Sequence, residues 1–495
     1  MASSPLRRSQ ALILAAAVSL IAAALVLYSQ TMAFAWDEGF HILCAQMILH
    51  GKRPYIDFVF SQTPLNAYWN ALWMAILGET WRVPHAIAAL GSAAGVALIS
   101  VYVFRRFPAE KWRFPGALLA GVLMGMNSIV FRFGGIAQAY GLCLMTTSAA
   151  FWLAILSPGR ASLLFPAVAG FFAGTAAGSS LLSAPAGPVL LVWIVAYSAA
   201  GNRWAKCAAY LSGGLVSFAP ILWLLAQGPR QVVFGIVDYN LKYRQLDWPD
   251  ATRQNLEVMV SWIDSGPALV LLFLGITGTL YVRYQAEWAA SARAEFYLCS
   301  WLAASFGLYI SYVRPTFERY YLFAVPFLSI LSVAGVYCLV TMLCRKQRTW
   351  LPLGIVSFLI LLGLGKQLYE ERDAATYADF ELVAKKVVEV TPADQPLFAD
   401  EVIYFLTKHP PPNGMEMWNA HKFNFTPDKL RLFHLIPQDE LDRSVAEGKF
   451  YTLETCEEDD FIREHGYSRV FDKVATPGGC TIYWGRKVLN SNTLK

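Results

Sequence analysis

Residues 9–36, SQALILAAAVSLIAAALVLYSQTMAFAW, contain no Asp, Glu, Lys or Arg, and Asp37 and Glu38 follow them directly. Roughly 20 helical residues cross a bilayer core of about 30 Å, so this stretch predicts a membrane-spanning helix with two acids at its end. Of all 495 residues, 56% are hydrophobic and 15% are charged, and the mean hydropathy is +0.41. Soluble domains carry about 25% charged residues, so the composition excludes an ordinary soluble protein.

Nine further uncharged stretches have a length that spans a bilayer or nearly does: 83–104, 114–131, 133–159, 161–202, 207–229, 265–282, 296–313, 320–344 and 349–365. The 161–202 stretch is too long for one helix, and Gly178-Ser179-Ser180 divides it at a natural turn. We therefore predict a membrane all-α fold, a polytopic bundle of about eleven transmembrane helices.

Basic residues indicate the topology, because Lys and Arg gather in cytoplasmic loops. With the N-terminus inside, every predicted inner loop is basic: Arg7 and Arg8; Arg105, Arg106, Lys111 and Arg113; Arg160; Arg203 and Lys206; Arg283 and Arg293; and Arg345, Lys346 and Arg348. An odd number of spans then leaves the C-terminus outside. The net charge of +5 follows this topology and does not indicate nucleic-acid binding.

The N-terminus also resembles a cleavable signal peptide, with Arg7-Arg8, an apolar run and Ala33-Phe34-Ala35. The apolar run from Ala11 to Tyr28 is longer than the usual core of about 7 to 15 residues. This length favours a retained first helix, and cleavage stays the alternative.

Three hydrophilic regions are predicted outside: loops 36–82 and 230–264, and a tail from about residue 371. We predict a membrane domain, 1–370, and a small extracytoplasmic α/β domain, 371–495. Helices are expected at Phe40–Leu49, Leu65–Leu77, Phe380–Val390, Gln438–Glu447 and Glu457–His465. Strands are expected at Leu397–Ala399, Tyr451–Thr455, Arg469–Val474 and Thr481–Trp484. Cys456 and Cys480 share the hydrophilic tail and are a disulfide candidate, because disulfides persist outside the cytoplasm.

Asp37 and Glu38 are adjacent carboxylates at a predicted membrane surface. A partly desolvated carboxylate there can act as a general base on an acceptor hydroxyl, or hold a cation. Alternatively, the two acids begin an interfacial helix, where they favour the positive end of the helix dipole. A zinc site of Asp37, Glu38 and His41 has suitable ligand types, although ligands so close in sequence seldom converge.

The run from Trp36 to about Phe104 resembles the start of the GT-C polytopic glycosyltransferases, specifically relatives of the protein mannosyltransferases and the lipid A aminoarabinose transferases. The matching motifs, in chain order, are Asp37-Glu38, His50-Gly51, Pro54-Tyr55-x-Asp57, Thr63-Pro64-Leu65, Tyr68-Trp69, Gly78, Arg82 and, further on, Arg319-Tyr320-Tyr321 with Pro326. The resemblance implies a transferase in which Asp37, with Glu38 as a second catalytic candidate, takes the proton of an acceptor. The donor would be a polyprenyl-phosphate sugar, the reaction would invert configuration at the outer face, and no nucleotide site is needed.

This chain departs from the family at two positions. Many relatives carry a Lys in the loop where this chain has Gln62, and another acid where it has Gln138. Compensation of the lipid phosphate is then expected from an arginine on the predicted outer side, and each such arginine has the alternative of being an interfacial anchor. The candidate substrate-binding residues are Asp57, Gln62, Arg82, Arg132, Gln138, Tyr243, Arg244, Arg319 and Tyr320. Asp57 has the alternative of capping a turn.

We expect a multi-pass cell (inner) membrane enzyme with a cytoplasmic N-terminus. Its expected partners are the bilayer, a polyprenyl-phosphate sugar, and a lipid, glycan or protein acceptor, with no nucleic acid. No cofactor is predicted to be required, and a divalent metal stays open. Two alternatives remain: a transporter or flippase for a lipid-linked substrate, which would place ionisable residues inside the spans, and a catalytically degenerate binding or scaffold protein.

Overall fold

The computed structural model describes residues 5–33, 35–343, 350–456, 470–476 and 479–485. The chain is 72% helical with one small sheet near the C-terminus, as the sequence predicts. The α-helices are, in chain order, α1 (Pro5–Ser29), α2 (Ala35–Leu49), α3 (Leu65–Leu77), α4 (Arg82–Arg106), α5 (Glu110–Gly125), α6 (Ser128–Phe133), α7 (Tyr140–Leu156), α8 (Leu164–Ser179), α9 (Ala186–Tyr197), α10 (Arg203–Ser217), α11 (Ala219–Gln227), α12 (Pro229–Val233), α13 (Ala251–Asp264), α14 (Gly266–Val282), α15 (Ala290–Tyr312), α16 (Val325–Leu343), α17 (Trp350–Glu370), α18 (Tyr377–Val390), α19 (Glu401–Thr407), α20 (Pro427–Phe433) and α21 (Gln438–Ala446).

Shorter turns connect these helices. They include 3-10 turns at Leu181–Ser183, Arg244–Asp247, Glu318–Ala324 and Trp418–Ala420, and a π-helix at Phe234–Tyr243. The predicted break near residue 180 is present, since α8 ends at Ser179 and the Ser180 side chain accepts a hydrogen bond from Leu182 N–H.

The chain forms two compact units. Unit 1 comprises residues 1–29, 85–222 and 241–372, and unit 2 comprises residues 30–84, 223–240 and 373–495. Most of the apolar helices lie in unit 1. Unit 2 combines the first predicted outer loop, part of the second and the C-terminal tail.

By length and composition, four helical segments in the described residues can span a membrane: Arg7–Ser29, Arg82–Arg106, Glu318–Met342 and Trp350–Glu370. Two further pairs of helices are long and apolar enough to span a membrane if each pair is one span, but each pair is bent at its break. The bend is 57° between α10 and α11 and 84° between α13 and α14. Other apolar helices, such as α7 with its 17 residues, are shorter than a bilayer crossing. The apolar helices support a multi-pass membrane protein, and the count of eleven spans is not confirmed.

Helices α14 and α16 of unit 1 approach each other through glycine. A Cβ added at Gly278 would meet the carbonyl oxygen of Leu331, and one added at Gly335 would meet that of Leu274. Small residues allow close backbone approach between apolar helices. The crossing therefore requires glycine at both positions.

In unit 2, a capping box sets the start of α18. Thr376 N–H donates to Asp379 Oδ2 at 2.8 Å, and the Thr376 side chain accepts a hydrogen bond from the backbone N–H of Asp379. The two bonds satisfy amide groups that the first helical turn leaves without partners. The predicted helix at Phe380–Val390 therefore starts three residues earlier, at Tyr377.

The sheet of unit 2 has the order β1-β2-β4-β3, with strands β1 (Leu397–Phe398), β2 (Thr452–Thr455), β3 (Asp472–Ala475) and β4 (Thr481–Trp484). β1 runs parallel to β2, whereas β4 is antiparallel to both β2 and β3. All four strands fall within or beside the predicted positions. The predicted helix Glu457–His465 lies outside the described residues.

A disulfide joins Cys456, which follows β2, to Cys480, which precedes β4. The bond links the ends of two strands that already pair with each other. The remaining described cysteines, Cys44, Cys143, Cys207, Cys299 and Cys338, are free thiols.

Candidate active site

Helix α2 carries Asp37 and Glu38 in its first turn, where carboxylates favour the helix dipole. The helix packs against the start of α19, which belongs to the C-terminal tail. A Cβ at Gly39 would lie 3.0 Å from Val402 N and 3.2 Å from Glu401 Cβ. Glycine at this position therefore brings the tail to the acidic end of α2.

The contact creates an acidic cluster, which consists of Asp37, Glu38, Asp400 and Glu401. Glu401 is buried, and its Oε1 accepts a hydrogen bond from Trp418 N–H at 2.6 Å. Burial raises the pKa of Glu401 to about 8; the Trp418 bond opposes this shift, whereas Asp400 and Asp37 add to it. At neutral pH the Glu401 carboxyl is therefore protonated and adds no further negative charge beside Asp37.

Burial distinguishes the two acids in the first turn of α2. Glu38 is 0% exposed, and its carboxylate interacts with the hydroxyl of Tyr377, whose pKa is raised by burial and then by Glu38. Asp37 is only half-buried. Of the two expected catalytic acids, Asp37 is thus the more exposed.

His41 contributes packing to the same region. Its ring stacks on Phe40 at 4.4 Å between centroids and meets Phe60 edge-on at 6.0 Å. Burial lowers the pKa of His41 to about 4, against the opposing influence of Asp37 and Glu38. The imidazole is therefore neutral at physiological pH.

The zinc alternative for Asp37, Glu38 and His41 is not supported by the described part of the chain. There, the one group of three His, Cys, Asp or Glu side chains with ligand atoms within 4.8 Å of one another is Glu454, Cys456 and Cys480. Its two cysteines form the disulfide, and a disulfide sulfur is not the thiolate that metals bind.

Two of the four candidate arginines already bind carboxylates. Arg82 of unit 2 lies 3.4 Å from Glu381 and stacks on Trp81, with 4.3 Å between the guanidinium carbon and the ring centroid. Arg132 of unit 1 forms an ion pair with Glu371. A phosphate would have to compete with a carboxylate for either guanidinium.

The other two arginines form an arginine–tyrosine cluster in unit 1, which consists of Tyr140, Arg244, Arg319 and Tyr320. Arg244 donates to the Tyr320 hydroxyl at 2.5 Å, and Arg319 Nε donates to the Tyr140 hydroxyl at 3.2 Å. The Arg319 guanidinium also lies over the ring of Tyr320, at 5.4 Å from its centroid. Two cations from distant segments thus both contact the side chain of Tyr320.

The remaining candidates occupy separate positions. Asp57 closes a turn, since its carboxylate accepts bonds from Arg53 N–H at 2.7 Å and from the Arg53 guanidinium at 2.7 and 2.9 Å. These bonds lower the pKa of Asp57. The Gln62 carbonyl accepts a bond from the Tyr55 hydroxyl. Gln138 is buried between α6 and α7, and Tyr243 ends the π-helix.

The sequence analysis missed the proximity of Glu401 to Asp37, which no local pattern encodes. The local structure at this point is a helix start, because Asp400 is the N-cap residue of α19. A signal that could have indicated the proximity was an acidic pair directly after a buried strand of the C-terminal tail.

Comparison with known proteins adds to this geometry. No protein-family model and no curated protein matches the sequence. Among solved structures, ArnT from Cupriavidus metallidurans bound to undecaprenyl phosphate is similar, with a TM-score of 0.66 and 11% identity, over 95% of this chain and 97% of ArnT. The chain therefore shares the fold of this ArnT. The apo form of the same ArnT gives a TM-score of 0.64.

Two further GT-C structures are more distant. The Archaeoglobus fulgidus oligosaccharyltransferase in its apo form has a TM-score of 0.52 at 11% identity, over 94% of this chain and 73% of that one. The mycobacterial arabinofuranosyltransferase AftD has a TM-score of 0.53 at 14% identity, over 95% of this chain but 39% of AftD. At these identities the likeness establishes a shared fold.

Proposed function

We propose that this chain is an integral-membrane glycosyltransferase that transfers a monosaccharide, a hexose or pentose, from a polyprenyl-phosphate carrier to an acceptor hydroxyl. The observation that carries the proposal is the half-buried Asp37 beside the protonated Glu401, in a fold shared almost end to end with a protein solved with undecaprenyl phosphate. A half-buried carboxylate at this position suits a general base.

In the proposed reaction, Asp37 accepts the proton of the acceptor hydroxyl. The acceptor oxygen bonds to the anomeric carbon while the bond from that carbon to the phosphate oxygen breaks. Attack from the face opposite the phosphate inverts the configuration and releases the polyprenyl phosphate. Glu38 supports α2 through Tyr377, and its burial argues against direct contact with the acceptor.

We assign the phosphate of the donor to Arg244 and Arg319, with Tyr320 as their positioning partner. Arginine matches phosphate geometry through paired N–H donors. Arg82 and Arg132 lie in separate ion pairs, with Glu381 and Glu371, whereas Arg244 and Arg319 both lie against Tyr320. Among the remaining candidates, Tyr243 and Gln138 are assigned to the sugar, whereas the bonds of Asp57 to Arg53 favour a structural role.

The proposed topology places the N-terminus in the cytoplasm and the domain 371–495 outside. The disulfide in that domain supports this orientation, because such bonds persist in oxidising compartments. No metal is required by the proposal. The Archaeoglobus fulgidus oligosaccharyltransferase has been solved in complex with zinc and sulfate, so the assay below includes a chelator arm.

The test is sugar transfer in proteoliposomes that contain the full-length chain, with and without EDTA. The donor is polyprenyl-phosphate sugar extracted from cells grown on radiolabelled glucose, and membrane glycolipids and proteins are offered as acceptors. Asp37→Asn keeps the shape of the side chain and removes the base, so we expect a loss of at least about 100-fold. Asp394→Asn changes an exposed acid of the same unit and serves as the matched control.

Retained undecaprenyl phosphate binding by the inactive Asp37→Asn protein supports the assignment of the base. Transfer at the wild-type rate by this variant would contradict it. No transfer by the wild-type protein across these acceptors would instead favour the transport or scaffold alternatives.

A further inference from the structure

Unit 1 contains a cavity of about 430 Å³ at the ends of α4, α5 and α15. Three arginines line it, Arg105, Arg106 and Arg113, together with Glu287 and Glu295. We call this feature the basic cavity. It brings together two loops predicted on the cytoplasmic side, and it shares no residue with either cluster described above.

One arginine of the basic cavity is neutralised by a buried acid. Arg106 forms an ion pair with Glu295, whose side chain is 5% exposed, and Glu295 also accepts a bond from the Tyr102 hydroxyl at 3.0 Å. This pair is a fixed part of the cavity wall. This pair does not neutralise the charges of Arg105 and Arg113.

Within the described parts of the chain, neither Arg105 nor Arg113 has a carboxylate partner. Arg113 uses its Nε to donate to the Phe107 carbonyl at 2.9 Å, which orients its guanidinium, and Arg105 is exposed at the end of α4. Glu287, the other acidic wall residue, is exposed. The wall therefore holds three cationic side chains against two anionic ones.

The start of α15 adds backbone donors to the same cavity. Its N-cap residue, Ala289, makes no side-chain cap, and Ser291 and Ala292 also line the cavity. The first amide groups of a helix have no intrahelical partner and attract anions. Two arginines and an uncapped helix start therefore surround one space that is large enough for a phosphate group.

The surroundings of the cavity indicate the source of this anion. Along α15, Tyr297 is 37% exposed and Trp301 is 69% exposed, and large exposed aromatic side chains on a membrane helix indicate contact with lipid. The indole of Trp288 and the ring of Tyr337 form part of the cavity wall itself. Basic pockets between membrane helices on the cytoplasmic side suit lipid headgroups.

We propose that the basic cavity binds the phosphate group of an anionic lipid headgroup, with Arg105 and Arg113 as its charged ligands. The site requires no transfer chemistry and is independent of the proposed function. It would retain anionic lipid at the predicted cytoplasmic side of the membrane.

The experiment measures lipid binding to the full-length protein in detergent by native mass spectrometry. Dioleoyl phosphatidylglycerol is the probe and dioleoyl phosphatidylcholine is the neutral comparison. We expect Arg105→Gln and Arg113→Gln each to weaken phosphatidylglycerol binding about 10-fold, because each removes charge-assisted bonds to phosphate. Lys111→Gln removes an equal charge from an exposed residue near Arg113 and should change binding less than about twofold.

A second arm separates the lipid from free phosphate. Inorganic phosphate is titrated at constant ionic strength while the thermal midpoint is recorded for the wild type and for Arg105→Gln. Arg105-dependent stabilisation by phosphate would support the anion site and identify a soluble ligand. Equal binding of both lipids, or equal losses in Lys111→Gln and Arg105→Gln, together with no Arg105-dependent effect of phosphate, would overturn the proposal. Arg105 is exposed, so Arg105→Gln is expected to fold.

Discussion

The acidic cluster and the arginine–tyrosine cluster keep charged groups at a surface by different means. In the first, Glu38 and Glu401 are buried, and the raised pKa of Glu401 removes one negative charge from beside Asp37. In the second, guanidiniums that stay charged at any working pH lie over aromatic rings and donate to tyrosine hydroxyls. The first environment is therefore sensitive to pH and the second is not.

The largest expected effect is a separation of binding from chemistry. The double variant Arg244→Gln/Arg319→Gln should weaken undecaprenyl phosphate binding about 100-fold, because it removes two charged donors. Asp37→Asn should leave this binding unchanged while it abolishes transfer. Microscale thermophoresis with a labelled polyprenyl phosphate measures the first quantity and the proteoliposome assay the second.

Arg82→Gln is the matched control, because it removes an arginine that already faces Glu381 on an exposed surface. We expect less than about a threefold change in phosphate binding, in keeping with the small energies of exposed ion pairs. Equal losses in Arg82→Gln and in the double variant would show that general surface charge, and not the arginine–tyrosine cluster, attracts the lipid phosphate.

A smaller effect concerns pH and the acidic cluster. The pKa of Glu401 is raised from 4.5 to about 8, so between these values the folded chain binds a proton that the unfolded chain has lost. Stability should therefore fall as pH rises through this window, by up to about 1.4 kcal/mol per pH unit from this group. Glu401→Gln should reduce the slope of the thermal midpoint against pH between pH 5 and 8.

The control for this measurement is Glu389→Gln, which changes an exposed acid of α18 and should preserve the wild-type slope. The arginine–tyrosine cluster offers the complementary comparison, since Arg319→Gln should not alter the slope either. If Glu401→Gln keeps the wild-type slope of the thermal midpoint against pH, a group other than Glu401 binds the proton.

The smallest expected effect tests how α19 reaches α2. Gly39→Ala places a Cβ 3.0 Å from Val402 N, so the two helices must separate by a few tenths of an ångström. Gly307→Ala in α15 meets nothing within 4 Å, and both changes gain similar helix propensity. We expect Gly39→Ala to be less stable than Gly307→Ala by about 1 kcal/mol, measured by chemical unfolding in detergent.

Local sequence patterns predicted many of the helices and strands. The apolar period predicted α3 at its observed bounds, Leu65–Leu77, and the alternation in the tail predicted β4 at Thr481–Trp484. Hydropathy was less informative about span length, because α7 begins at Tyr140 and not at residue 133. Hydropathy did not predict the turn before α7, which follows Gly134-Gly135. There, close contacts with Ser92 and Ser29 leave no room for a Cβ.

The candidate site was predicted only where its residues adjoin in sequence. Asp37 and Glu38 could be found from composition and resemblance, but burial, which separates their roles, depends on Tyr377 and on the tail. The pairing of Arg244 with Tyr320 joins segments 76 residues apart. Such contacts follow from tertiary packing, and no period in the sequence records them.

The contact of Glu401 with the first turn of α2 also constrains how the protein is made. Synthesis proceeds at about 5 to 20 residues per second, and Glu401 leaves the ribosome roughly 360 residues after Asp37. About 20 to 70 seconds therefore pass between the synthesis of the acidic end of α2 and that of α19, the helix that packs against it. During this interval a membrane chaperone or the insertion machinery has access to a surface that the finished protein hides.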